Sequence, residues 1–252
     1  MSSAAPLALR PEPHVAVPPV AMVLAAGLGK RMRPLTATRP KPLVEVAGRT
    51  LLDRTLDHLR TAGIARAVVN VHYFADQVEA HLRARDQGLA VAISDERGVL
   101  LETGGGVTKA LPLIDADPFY VVNSDNLWVD GAVSSLKLLA ARWDPGVMDA
   151  LLLLVPLARA SCHSGRGDFH MDPVGRLTWR REGRMAPFVY TGLQLVAKRL
   201  FDSAPPGAFG FRLLWDKALA DKRLYGLTHP GLWSDVGTPP AVAATELLLA
   251  AG

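Results

Sequence analysis

Strand-length apolar runs alternate with amphipathic helical segments along most of this 252-residue chain. Such alternation predicts an α/β fold in which a mostly parallel sheet is covered by helices on both faces. The length fits one large domain. Hydrophobic residues make up 49% of the chain and charged residues 21%, as in an ordinary globular domain. The predicted architecture is therefore a Rossmann-like, doubly wound sheet.

The first part of the chain carries the most regular pattern. Short apolar runs predict strands at Val20–Ala25, Ala67–His72, Ala90–Ser94, Phe119–Asn123 and Ala150–Val155. Apolar residues at helical spacing predict helices at Leu51–Ala62, Ala75–Arg85, Val107–Leu113 and Ala132–Trp143. Farther on, the weaker pattern predicts strands at Leu177–Arg180 and Phe188–Val196 and helices at Phe211–Ala220 and Ala241–Ala250. No second domain boundary is visible, so residues 20–252 are predicted to form a single domain.

Residues 1–19 differ from the rest of the chain. They hold prolines at positions 6, 11, 13, 18 and 19 and show no apolar periodicity, which predicts a disordered tail without core contacts. The prolines also interrupt any signal-peptide core, and the chain has no run of eighteen apolar residues. We therefore expect a cytoplasmic protein without a membrane partner.

Charge and cysteine content exclude further classes. A net charge of +4 suits a small anionic substrate but is too mild to indicate nucleic-acid binding. The single cysteine, Cys162, excludes an internal disulfide and a cysteine-based metal cluster. The oligomeric state is left open.

A glycine turn follows the first predicted strand, at Gly27-Leu28-Gly29. Four cationic residues lie within fourteen positions of Gly27, namely Lys30, Arg31, Arg33 and Arg39, and Lys41 then stands between two prolines. Glycines let backbone N–H groups approach phosphates, and we expect the prolines to hold the Lys41 segment extended. A triphosphate site is therefore predicted, the alternative being a basic surface loop. Arg31 stands where a P-loop needs Ser or Thr, and Met32 stands where the dinucleotide fingerprint needs its third glycine.

Two aspartates are candidates for metal binding. Asp125 comes two residues after the apolar run 119–123. Ligands of open α/β sheets lie beyond the carboxyl ends of the strands. Asp235 precedes Val236-Gly237, where the chain can turn sharply. Mg²⁺ is typically held by one or two carboxylates together with phosphates and waters, which makes it the predicted cofactor. The alternative for Asp125 is a cap of the following turn.

A run of glycines, Gly104-Gly105-Gly106, precedes the predicted helix at Val107. Such a run exposes N–H groups and leaves room for a flat ring, which predicts a nucleobase pocket; a flexible loop is the alternative.

Together these motifs resemble the sugar-1-phosphate nucleotidylyltransferases. The resemblance begins with Gly-x-Gly-x-Arg-Met-x-Pro-Leu-Thr at 27–36 and Pro-Lys-Pro-Leu at 40–43. Segments 101–106, 165–169 and 233–238 are most similar to the N-acetylmuramate-1-phosphate uridylyltransferases of bacterial cell-wall recycling. The resemblance implies the nucleotide-diphospho-sugar transferase fold. It also implies nucleotidyl transfer from a nucleoside triphosphate, UTP in that group, to a sugar 1-phosphate such as N-acetylmuramate 1-phosphate.

The resemblance also assigns roles to particular residues. Catalytic roles fall on Arg31, Lys41 and Asp125. Nucleotide binding falls on Ala25, Ala26, Gly27, Gly29, Gly104 and Gly105. Substrate binding falls on Asn123, Asp168, Thr191 and Gly192, although the loop of Asp168 is equally compatible with an exposed turn. Metal binding falls on Asp125 and Asp235. This chain has Ser124 where the family has glycine and Gly210 where the family tends to have lysine.

Two alternatives remain from the sequence. One is a guanylyl- or uridylyltransferase for a hexose or heptose 1-phosphate. The other is a catalytically inactive paralogue that binds sugar nucleotides and regulates a partner. Ser124 is the feature that favours the inactive paralogue, because its side chain stands where the family's glycine allows close approach.

Overall fold

The computed structural model describes residues 15–84 and 88–251. Its helices are α1 (Leu51–Ala62), α2 (Ala75–Ala84), α3 (Glu102–Ala110), α4 (Ser135–Arg142), α5 (Arg212–Ala220) and α6 (Pro239–Ala250). Its first strands are β1 (Val20–Leu24), β2 (Glu45–Val46), β3 (Arg49–Thr50), β4 (Arg66–Val71), β5 (Ala90–Asp95), β6 (Phe119–Asn123) and β7 (Asn126–Val129). The later strands are β8 (Ala150–Pro156), β9 (Ala160–Ser161), β10 (Phe169–Met171), β11 (Leu177–Trp179), β12 (Phe188–Val196), β13 (Leu224–Thr228) and β14 (Leu232–Asp235).

One large sheet organises the described part of the chain. Its strands run in the order β11-β10-β12-β6-β1-β4-β5, with β8 beside β12 and β13 beside β8. Strands β6, β1, β4 and β5 are parallel, as the alternating pattern predicts. Strand β12 is antiparallel to both β6 and β8, so the second half of the sheet is mixed. The α/β fold is confirmed.

Helices cover both faces of this sheet and bury two separate cores. On one face, Leu56 of α1, Val78 of α2 and Leu136 of α4 pack against the sheet. On the other face, Val107 of α3 and Leu214 of α5 do so. Helices α1 to α5 thus each have an apolar side toward the large sheet, which is the doubly wound arrangement that the sequence predicts.

The helix ends show where local sequence is decisive. Helix α1 matches its predicted bounds because the Thr50 hydroxyl accepts a hydrogen bond from Asp53 N and Gly63 closes the helix at φ +90°. Helix α3, in contrast, begins at Glu102 and not at Val107, so the predicted start is wrong. The glycine run is helical here, and its packing explains why, as described below.

The predicted tail boundary at residue 19 is also wrong. Val17 packs against the core, and the carbonyl of Pro19 accepts hydrogen bonds from Ala65 N and Arg66 N. The folded part therefore begins before Val20, because this short segment lies against the start of β4. Residues 1–14 of the predicted tail lie outside the described residues.

A small sheet at the carboxyl edge of the large one positions the second aspartate. Strands β7 and β14 pair antiparallel, with Asp235 opposite Asn126, and β9 pairs parallel to β14. A third apolar cluster lies beneath, in which Met32, Leu127 and Val236 are buried. This cluster ties the cationic segment after β1 to the chain that carries Asp235.

Candidate active site

A cleft of about 490 Å³ opens at the carboxyl ends of β1 and β6, next to the start of α3. Most predicted site residues line it: Ala25, Ala26, Gly27, Gly29, Arg31, Lys41, Asn123 and Asp125. The position is the one expected for ligands of open α/β sheets.

Lys41 and Asp125 form the central ion pair of the cleft. Lys41 Nζ lies 2.9 Å from Asp125 Oδ2, and the lysine side chain is 10% exposed while the aspartate is 39% exposed. The prediction that Lys41 lies in an extended segment is wrong. Residues Lys41–Leu43 form a short 3-10 turn, closed by the hydrogen bond from Leu43 N to Pro40 O. This turn directs the ammonium group onto the carboxylate.

Asp235 lies at the same end of the cleft as Asp125. Its register partner Asn126 directly follows Asp125, so the β7–β14 pair places the backbone of Asp235 beside the residue after Asp125. Gly237 lies between Asp235 and Arg31: a Cβ there would be 2.8 Å from Asp235 Oδ1 and 3.2 Å from Arg31 Nη1. A side chain at position 237 would therefore crowd both the Asp235 carboxylate and the Arg31 guanidinium.

This pair of carboxylates fits a magnesium ion. No group of three or more His, Cys, Asp or Glu side chains suited to a metal occurs within residues 15–84 and 88–251. Mg²⁺ does not require one, because it keeps several waters and takes the remaining oxygens from substrate phosphates. Asp125 and Asp235 are the residues that would hold it.

The glycine run at α3 does not expose its N–H groups as predicted. Gly104 N and Gly105 N donate to the carbonyl oxygen of Phe209 at 2.8 and 3.0 Å. A Cβ on Gly104 would overlap the Phe209 ring, and one on Gly105 would overlap the carbonyl oxygen of Gly207. The prediction that their N–H groups are exposed is wrong because the segment 207–209 packs on the run. Glu102 and Thr103 line the cleft in front of it.

A buried polar network connects this run to the end of β1, and sequence reasoning missed it. Asn70 Oδ1 accepts from Ala25 N at 2.7 Å, and Asn70 Nδ2 donates to Glu96 Oε1 at 2.7 Å. Glu96 Oε2 in turn accepts from Leu101 N at 3.1 Å, and Glu96 is fully buried. The one sequence signal that could have indicated this network is the polar Asn70 inside the apolar run of β4.

The predicted sugar side of the site is built around a bulge in β12. Gly192 has φ +87°, and a Cβ on it would lie 3.0 Å from Asn123 Cβ, so the bulge packs directly on the end of β6. The Thr191 hydroxyl donates to Leu153 O at 2.8 Å, the Thr191 carbonyl oxygen accepts from Trp233 Nε1 at 2.9 Å, and the residue is buried. Asp168 Oδ2 accepts from Tyr190 N at 2.9 Å. Substrate contacts by these residues stay predictions.

Tyr190 is a further residue that sequence reasoning missed. Among the residues that the structure describes, its buried hydroxyl belongs to the few side-chain groups without a hydrogen-bond partner. Burial, together with the charge of Asp125, raises the pKa of Tyr190 well above its ordinary value. The hydroxyl therefore stays protonated and is a buried donor without a hydrogen-bond partner.

Ser124 leaves the cleft open. Its Oγ donates to Leu24 O at 2.7 Å, and the residue is 1% exposed. Ser124 lines the cleft, but its side chain is buried and its hydroxyl is engaged by the backbone of β1.

Comparison with known proteins agrees with this geometry. The family model described as Nucleotidyl transferase matches residues 20–161, which contain the glycine turn, Lys41 and Asp125. The chain belongs to this family. It is 47% identical over 236 residues to an N-acetylmuramate alpha-1-phosphate uridylyltransferase of Caulobacter vibrioides, a match that covers 92% of this chain and 98% of the relative.

Of two further relatives, one is named for the same substrate and one for a different substrate. The N-acetylmuramate alpha-1-phosphate uridylyltransferase of Neisseria meningitidis is 34% identical, over 86% of this chain and 93% of the relative. The catalytic subunit beta of mannose-1-phosphate guanylyltransferase from Dictyostelium discoideum is 27% identical, over 87% of this chain and 61% of the relative.

Solved structures share the fold. HddC from Yersinia pseudotuberculosis complexed with GMP-PN superposes with a TM-score of 0.73 at 21% identity, covering 91% of this chain and 99% of that one. UDP-glucose pyrophosphorylase complexed with UDP-glucose gives 0.74 at 15% identity, covering 92% and 98%. The nucleotide-diphospho-sugar transferase fold is thereby confirmed. None of the helices in 15–84 and 88–251 is long and apolar enough to cross a bilayer.

Proposed function

We propose that this protein transfers a uridylyl group from UTP to N-acetylmuramate 1-phosphate, giving a UDP-sugar and pyrophosphate. The polarised cleft carries the proposal: a glycine turn and cationic side chains meet Asp125 where β1 and β6 end. The choice of base and sugar rests on the two relatives of that activity, at 47% and 34% identity. A cytoplasmic location and a part in cell-wall recycling stay predictions.

The chemistry needs no nucleophile from the protein. An oxygen of the sugar phosphate attacks the α-phosphorus of UTP, a new P–O bond forms, and the bond to pyrophosphate breaks. Catalysis then consists of placing the two substrates in line and neutralising the charge that moves onto the leaving group. Arg31 and Lys41 are the cations at this end of the cleft.

The Lys41 ammonium group can bond either the Asp125 carboxylate or a phosphate of the substrate. Without substrate its ammonium bonds Asp125, and a phosphate oxygen entering the cleft offers a competing anion. We infer that Lys41 turns to the α-phosphate, which frees Asp125. Asp125 and Asp235 are the residues that would hold a magnesium ion, which would supply positive charge to the phosphate oxygens.

Ser124 is the sequence feature that favours an inactive paralogue, and its observed position removes this support. The serine hydroxyl bonds Leu24 O inside the sheet, so it does not block the cleft. Lys41, Asp125 and Asp235 are all present and grouped at one end. An alternative acceptor, a hexose or heptose 1-phosphate, is decided by the assay below.

The test is a grid of substrates. Purified protein is given UTP, GTP or CTP with N-acetylmuramate 1-phosphate, glucose 1-phosphate or mannose 1-phosphate in Mg²⁺. Pyrophosphate release and the mass of the nucleotide sugar are measured. We expect the UTP and N-acetylmuramate 1-phosphate pair to give the highest kcat/KM. A higher value for GTP with a hexose phosphate would replace the proposal by the guanylyltransferase alternative.

Variants then test the site itself. Asp235→Ala is expected to lower kcat at least about a hundredfold, because an electrostatic group at the reacting phosphate is removed. Asp221→Asn, an exposed aspartate in the turn after α5, is the matched control and should keep wild-type rates. Near-full activity of Asp235→Ala in Mg²⁺, with an unchanged circular dichroism spectrum, would exclude the metal assignment.

A further inference from the structure

Glu102 combines two unusual features at the edge of the cleft. Its backbone has φ +58°, in the left-handed region that costs free energy for every residue except glycine and, less strongly, Asn or Asp. Its side chain is exposed and lines the cleft. A glycine would relieve the backbone, so the presence of glutamate indicates that the carboxylate has a use.

The carboxylate is unsatisfied within the protein. In the described residues, 15–84 and 88–251, Glu102 has no hydrogen-bond or ion-pair partner. Gly210 stands beside it, and a Cβ on this glycine would lie 3.5 Å from Glu102 Oε2, in van der Waals contact. Because Gly210 has no side chain, none covers this flank of the carboxylate.

Charge divides the cleft into two ends. Arg31 and Lys41 lie at the end where Asp125 and Gly237 are found, which suits the phosphates. Glu102 starts α3 in the segment after β5, and strands β1 and β4 separate β5 from the end of β6 that precedes Asp125. A carboxylate beside a triphosphate repels it unless the carboxylate meets hydrogen-bond donors of the ligand. The nucleoside part carries such donors, whereas the phosphates carry none.

We propose that Glu102 is a specificity residue that accepts a hydrogen bond from the nucleoside part of the triphosphate. The inference rests on the proposed function, in that it assumes a nucleoside triphosphate in this cleft. The donor chemistry has two sources, the N3–H of uracil or the 2′-hydroxyl of ribose. A carboxylate only accepts hydrogen bonds, so it disfavours cytosine, which presents an acceptor at N3, or a deoxyribose, which lacks the hydroxyl.

The test is equilibrium binding of UTP, 2′-deoxy-UTP and CTP, measured by calorimetry on the full chain. Removing a negative charge near a triphosphate would by itself tighten binding. We expect the opposite sign: Glu102→Gly weakens UTP binding about tenfold, as for a lost hydrogen bond to a charged group. Glu102→Gln should weaken it less, because its amide oxygen still accepts.

The nucleotides identify the donor. If the penalty of Glu102→Gly vanishes with 2′-deoxy-UTP, the ribose hydroxyl is the partner; if it vanishes with CTP, the base is. Tighter or unchanged UTP binding by Glu102→Gly overturns the inference, and so does an equal loss for all three nucleotides.

Controls separate binding from folding and from catalysis. Glu182→Gln removes an exposed carboxylate outside the cleft lining and should not change any of the three affinities. Glu102→Gly should keep the wild-type melting temperature, because relief of the left-handed backbone offsets the added chain flexibility. If the wild type makes a nucleotide sugar while Glu102→Gly binds UTP normally, only this inference fails. If UTP binding depends on Glu102 but no nucleotide sugar forms, only the proposed function fails.

Discussion

Two glycine segments flank the cleft, and they are glycine for different reasons. A Cβ on Gly27, after β1, would meet nothing within 4 Å. Cβ atoms on Gly104 and Gly105, at α3, would overlap the chain at 207–209. At Gly27 the first segment leaves its backbone uncovered, whereas Gly104 and Gly105 lack side chains so that the segment 207–209 can pack on them. A glycine run therefore does not by itself identify a ligand site.

The two segments are nonetheless connected. Asn70 bonds Ala25 N on one side and Glu96 on the other, and Glu96 bonds Leu101 N just before α3. A change in either segment can therefore be transmitted to the other through one buried amide. The predictions below separate the packing role, the access role and this connection.

The largest effect is expected from the connection. Asn70→Ala leaves Ala25 N and the fully buried Glu96 carboxyl without their partner, which costs about 3–4 kcal/mol in unfolding free energy. Thermal unfolding should shift down by roughly 10 °C. Gln77→Ala, which removes an exposed amide that donates to Thr38 O, is the control and should change the melting temperature little. Equal shifts for the two variants would show that the network does not connect the segments.

The packing role predicts a loss of stability at α3. Gly105→Ala forces a methyl group against the Gly207 carbonyl, and such overpacking costs about 2–3 kcal/mol. The melting temperature should fall by roughly 5–10 °C. Gly98→Ala is a suitable comparison because a Cβ there meets nothing within 4 Å, so its melting temperature should not fall. A fully stable Gly105→Ala would contradict the packing explanation.

If Gly27 is small so that a ligand can approach, its substitution should affect substrate binding and not stability. Gly27→Ala should keep or slightly raise the melting temperature, because the methyl group meets no protein atom and the unfolded chain loses freedom. The methyl group stands in the cleft, however, and should raise the KM for the triphosphate about tenfold, equivalent to ~1.4 kcal/mol. An unchanged KM would show that the ligand does not approach this backbone.

The smallest expected effect is the pH dependence of the melting temperature, which should be the same in the wild type and in the glycine variant. Burial lowers the pKa of His229, which lies between β13 and β14, remote from both glycine segments. Below about pH 6.5 the unfolded chain binds a proton that folded His229 does not, so stability falls as the pH falls. Between pH 7.5 and 5.5 the melting temperature should decline by a few degrees in the wild type and equally in Gly27→Ala. A different slope for that variant would mean that the segments are not independent of the β13–β14 turn.

The sequence by itself determined the elements whose causes are local. Helix α1 follows from its apolar spacing, the Thr50 cap and Gly63, and the parallel strands follow from uninterrupted apolar runs. The motif at 27–43 determined the family and the cationic end of the cleft, because its residues lie close together along the chain.

Only the tertiary structure decided features that join distant parts of the chain. The helical start at Glu102 depends on Phe209, the placement of Asp235 beside Asn126 depends on β7 meeting β14, and the Ser124 hydroxyl is held by Leu24 O. None of these partners is adjacent in sequence to the residue it fixes. Hydrogen bonds and contacts of this kind form only when the sheet brings the segments together, so no local pattern of residues contains them.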